Sequence, residues 1–141
     1  MGVFDIENTF SIEIEEPALI IFRSKSNVGL SDTQLKAQAE MMFEKISELT
    51  KFHKSEEYNF LVVLSEGETY QISIPEVNIY RLILKEFNIK KVAIVEKSPI
   101  LIRFITNIVN MAVTSLKLEF FSNELDARKW IDLKYKYEET I

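Results

Sequence analysis

Apolar and polar positions along this chain switch between two periods, and the switches mark out its elements. Residues 10–15, Phe-Ser-Ile-Glu-Ile-Glu, alternate strictly, the pattern of a strand with one buried and one wet face. Glu16-Pro17 makes a turn. Residues 18–23 are then apolar up to Arg23 and predict a more deeply buried strand, so the two strands form an antiparallel hairpin. A polar loop follows. Ser31-Asp32-Thr33-Gln34 has capping-box spacing, in which the Ser hydroxyl takes a first-turn amide and the Gln side chain reaches back. Behind it Leu35, Ala39, Met42, Ile46 and Leu49 recur at helical spacing to about Phe52, with charge on the opposite face.

Residues 58–65 are apolar on both faces, which suits a central strand covered from both sides. Glu66-Gly67-Glu68 ends it, and residues 69–74 read equally as an extended segment or a loop. Pro75 fits a first helical turn; Ile79, Tyr80, Ile83, Leu84 and Phe87 give that helix one apolar face, and Asn88 stops it. Residues 90–96 are a second central strand. Ser98 caps and Pro99 opens a helix over 99–113 that is apolar on more than one face, broken only by Arg103, Thr106, Asn107 and Asn110. Residues 116–121 return as a strand. Ser122 or Asn123 caps a closing helix whose Ala127, Trp130 and Ile131 face the sheet, while Glu124 and Asp126 suit its positive start. A charged tail follows over 132–141, frayed from 134.

The order is β-β-α-β-α-β-α-β-α. Strands separated by helices require right-handed parallel crossovers. The fold class is therefore α/β, a mixed sheet of four or five strands with flanking helices and the N-terminal hairpin as its antiparallel edge. A chain of 141 residues that is 47% hydrophobic supports one domain, 1–141, with its core over about 10–131. Three Gly and three Pro leave no room for a flexible linker.

Charge and residue usage then remove whole classes of function. A net charge of -5 speaks against nucleic-acid binding. The lack of cysteine removes disulfides, thiolate catalysis and zinc–thiolate sites, and one histidine excludes a multi-histidine metal site. No metal and no cofactor is expected. The first seven residues, Met1 to Glu7, show no secretory pattern, and Ile6 stands where myristoylation wants Ser or Thr, so a cytoplasmic protein is expected. The 99–113 run is too short and too polar for an integral membrane segment. Gly2, Gly29 and Gly67 stand alone, so no phosphate loop is present.

Two places remain as candidate sites. In open α/β sheets ligands sit beyond the carboxyl ends of the strands. Those ends carry Ser65, Glu66 and Gly67, and then Lys97 and Ser98, with Arg103 one turn into the helix. The plainer reading, that Ser98 only caps and Lys97 is solvated, is preferred there. The second place is the apolar helix, with Leu101, Phe104, Ile105, Ile108 and Met111 as interface candidates. It is either buried beneath the tail and Tyr135 or Tyr137, or a homodimer interface, or the border of a pocket for an apolar ligand or of a membrane contact. His53 reads as a residue at a helix end without a catalytic partner. Glu13, Glu15 and Glu16 read as a solvated edge that guards against sheet-to-sheet pairing.

The element order, the block Val92-Ala93-Ile94-Val95 and the ending Phe120-Phe121-Ser122-Asn123-Glu124-Leu125-Asp126-Ala127-Arg128-Lys129-Trp130-Ile131 together resemble the SpoIIAA-like, or STAS-like, proteins, relatives of anti-sigma-factor antagonists. The resemblance implies a STAS-like sheet flanked by helices and a non-enzymatic regulatory role through protein association. Antagonists of that kind carry a phosphorylatable Ser in an Asp-Ser-Ser/Thr-Gly segment. The matching stretch here, Leu64-Ser65-Glu66-Gly67-Glu68, lacks the Asp, which speaks against a kinase-driven switch at Ser65. A receiver-domain reading fails because Leu64-Ser65 supplies no phosphoacceptor Asp. The expectation is a domain that binds itself or another protein; the alternative is a carrier or sensor of a small hydrophobic ligand or lipid.

Overall fold

The opening hairpin pairs as the alternation predicts. β1 (Phe10–Glu15) runs antiparallel to β2 (Leu19–Ser24), with Ile12 opposite Phe22 and Ile14 opposite Ile20. In the computed structural model, which describes residues 10–24, 30–64, 74–112 and 116–140, three more strands extend the sheet. They are β3 (Tyr58–Val63), β4 (Ile89–Val95) and β5 (Lys117–Phe121), each parallel to its predecessor, and spatial order follows chain order. A register shift at Tyr58/Asn59 is the one irregularity among these pairings.

Topology decides where the helices go. Every crossover from β2 to β5 steps the same way across the sheet, so right-handedness puts α1 (Asp32–Phe52), α2 (Ile74–Glu86) and α3 (Pro99–Ala112) on one face. α4 (Glu124–Thr140) follows the last strand and is free of that rule; it covers the other face. The core is split accordingly. On the three-helix side Ile20, Phe22, Phe60, Val92 and Ile94 pack against Met42, Ile46, Ile83, Leu84 and Val109. On the α4 side Ile21, Leu61, Ala93 and Val95 meet Ala127 and Ile131. Successive residues of each strand thus feed opposite layers, which is why β3 and β4 read as continuous apolar runs.

Local signals set the helix ends. Ser31 Oγ accepts from the Gln34 amide at 3.2 Å while Gln34 Oε1 accepts from the Ser31 amide at 2.9 Å, closing the capping box. Helix α2 ends where Asn88 takes φ 51°, a left-handed conformation that Asn tolerates better than most residues. Of the segment left open between strand and loop, residues 69–73 lie outside the described residues, and Ile74 begins α2. Asn123, rather than Ser122, caps α4: its Oδ1 accepts from the Asp126 amide at 2.9 Å. That helix continues to Thr140, past the frayed tail expected from residue 134, and no Gly or Pro interrupts it there.

Candidate functional site

Between the three-helix layer and the sheet lies an apolar cavity of about 100 Å³. Phe60, Val92 and Ile94 form its floor; Tyr80 and Ile83 of α2 and Ile105 and Val109 of α3 form its walls. Protein interiors are packed to crystal-like density, so a void of this size is unusual. The Tyr80 hydroxyl donates to a carboxylate oxygen of Glu76, which is itself fully buried in the first turn of α2.

Helix α3 divides its apolar residues between two environments. Leu101 and Ile105 pack on the core together with the buried Val109. Ile100 and Phe104 are 84% and 40% exposed. They stand four apart and form one outward stripe. Of the interface candidates, therefore, Phe104 is on the surface and Leu101 and Ile105 face the core. Ile108 and Met111 lie within α3, with their side chains outside the described residues. Burial beneath the tail has no described contact behind it: Trp130 and Ile131 pack on the opposite face of the sheet, and the side chains of Tyr135 and Tyr137 lie outside the described residues.

At the carboxyl end of β4, Glu96 folds back so that one carboxylate oxygen accepts from the amides of Lys97 at 3.0 Å and Ser98 at 2.9 Å. Ser98 Oγ accepts from the Leu101 amide at 3.4 Å. The protein's own carboxylate thus occupies amides that an external anion would use. Lys97 and Arg103 are exposed nearby on the loop and on α3. Ser65, Glu66 and Gly67 lie outside the described residues.

The α4 face holds a charge network that the linear reading missed. Arg23 grips Glu124 through two nitrogens at 2.6 and 2.9 Å. Arg128 reaches Glu124 at 2.9 Å and, through its other nitrogens, Glu15 at 2.8 and 3.2 Å. Glu13 adds a looser contact to Arg23 at 3.8 Å. Glu13 and Glu15 are therefore partnered rather than simply solvated. The Arg23 and Arg128 hydrogen bonds hold the Glu124 carboxyl at about 2, well below its ordinary 4.5, against the opposing effect of its burial. Glu15 is lowered in the same direction, chiefly by Arg128. The spacing of Glu124 and Arg128 is a helical ion-pair signal visible in sequence; the long-range pairs are not.

Beside this network Lys91, buried in β4, donates to the backbone oxygens of Trp130 at 3.0 Å and Ile131 at 3.3 Å. Its ammonium also sits 4.8 Å from the centre of the Trp130 ring. His53 Nδ1 lies 2.8 Å from Glu16 at the hairpin turn. Among the described residues, no cluster of three or more side chains suited to a metal occurs, and no helix is long and apolar enough to cross a membrane.

A sequence profile of the SpoIIAA-like family matches residues 27–132, which is most of the chain. A search of curated proteins gave no match, and neither did a search of solved structures. The matched span holds α1 to β5 and the part of α4 that docks on the sheet. The chain belongs to the SpoIIAA-like family, and its five-stranded mixed sheet with four helices is a STAS-like fold.

Proposed function

We propose that this domain works without catalysis, as a cytoplasmic regulatory module that associates with proteins, and first with a second copy of itself. The observation that carries the reading is the exposed stripe of Ile100 and Phe104 on α3. Two large apolar side chains are held outward here, four residues apart, and contiguous exposed apolar surface marks interaction sites.

The neighbouring edge of the sheet supports a symmetric partner. β5 is the last strand in the sheet order and pairs with β4 on one side. Its Lys117 and Glu119 are both exposed and share the α4 face. An antiparallel pair of β5 strands centred on Leu118 sets Lys117 of each copy opposite Glu119 of the other. Opposite charges directly across a strand pair are favourable, and a two-fold axis repeats the pair.

Light-scattering mass after size exclusion, over a dilution series, tests the reading. The wild type is expected to show a dimer mass at high concentration. Ile100→Glu combined with Phe104→Glu is expected to shift the midpoint of dissociation at least tenfold higher. Ile105, which the cavity holds inward, is the wrong residue for this test. A wild-type monomer at every concentration would overturn self-association.

A further inference from the structure

We propose that the cavity between α2, α3 and the sheet is a binding site for a small uncharged apolar molecule, of the size of a single aromatic ring. Its walls set the chemistry. Among the described residues the lining is aliphatic and aromatic, and the one hydroxyl among those side chains, that of Tyr80, is engaged by Glu76. An ordered water needs two to four polar partners, which the described lining does not offer, so the pocket favours an apolar guest.

Size narrows the ligand further. At about 100 Å³ the space falls short of the engineered core cavity of about 150 Å³ that takes benzene, so a ring fits only with a small outward movement of the walls. Met42, an unbranched and polarizable wall residue, and the half-buried Ile105 can supply that movement. The acidic neighbour of the wall is Glu76, and among the described residues no basic side chain lines the cavity, so an anionic ligand meets no counter-charge there. The site is independent of the association surface: Ile105 and Val109 face it, whereas Ile100 and Phe104 point outward.

Methyl NMR with benzene as probe and benzoate as its charged counterpart tests the site. Benzene is expected to shift the methyl resonances of Ile83, Ile105 and Val109 and to raise the melting midpoint; benzoate at the same concentration is expected to do neither. Ile105→Phe fills the space, and is expected to melt higher than the wild type without probe and to lose the benzene response at least tenfold. Should that variant fail to fold, Val109→Leu reads the same loss more gently. Unmoved wild-type methyls up to saturating benzene, an equal response to benzoate, or a full benzene response in the filled variants would each overturn the proposal.

Discussion

Arg128 holds Glu15 across 113 positions of sequence, two guanidinium nitrogens on two carboxylate oxygens at 2.8 and 3.2 Å. The contact ties the last helix to the first strand, and so joins the two ends of the described fold. Through Glu124 it continues to Arg23, which makes one network of what are separately modest surface pairs. Partly exposed ion pairs are worth little singly, but bidentate geometry and networking raise their share. Arg128→Ala is expected to lower unfolding stability by about 1 kcal/mol, with the loss shrinking in high salt. Urea unfolding at low and high ionic strength checks it.

Acid sensitivity follows from the same residues. Glu124 is depressed in the folded state from 4.5 to about 2, so the unfolded chain takes up its proton first as pH falls. The stabilisation from this group is complete above about pH 4.5 and is lost progressively as pH falls toward 2. Glu15, lowered in the same direction, adds to that loss. Glu124→Gln is expected to flatten the stability profile in this window and to leave its shape near neutrality unchanged. Denaturation midpoints from pH 6 down to about pH 2 check the sign.

Lys91 anchors α4 from below. Its ammonium bonds two helix carbonyls and lies against Trp130, the chain's one tryptophan. Lys91→Met keeps the apolar stem and removes these contacts, at an expected cost of about 1.5 to 3 kcal/mol. Trp130 fluorescence is expected to shift in the native state, which reports the local change separately from stability.

Asn88 serves the turn into β4 in two ways. Its φ of 51° ends α2, and its side-chain amide donates to the Glu56 oxygen at 2.6 Å. Glycine accepts that backbone conformation without a steric penalty, whereas alanine does not. Asn88→Ala is expected to cost about 1 to 2 kcal/mol more than the backbone-matched Asn88→Gly. Thermal melts of the pair of variants separate backbone strain from the lost hydrogen bond.

The strands and helix starts were legible because their signals are local. Strict alternation marks β1, the Ser31 and Gln34 pair marks α1, and Ser98-Pro99 marks α3. The mixed sheet, with an antiparallel hairpin followed by parallel strands, was legible from the alternation of strands and helices, whereas the spatial order of its strands was not. The charge network was not, because Glu15 and Arg128 meet only once α4 docks on the hairpin's face. Taken alone, Glu13 and Glu15 look like any solvated strand edge. In the sequence Lys91 is a strand residue and nothing more; its partners are backbone oxygens, which no sequence pattern displays. The excess apolar surface of α3 was visible, but its division was not. Which side of that helix lines a cavity and which faces out depends on the angle at which it lies on β4 and β5.

Amide hydrogen exchange at two well-separated protein concentrations reads directly whether a second copy docks along β5 and α3. Exchange over residues 117–121 and around Ile100 and Phe104 is expected to slow as concentration rises, while β1 exchanges at an unchanged rate. Exchange in β5 and α3 that is the same at both concentrations would contradict it.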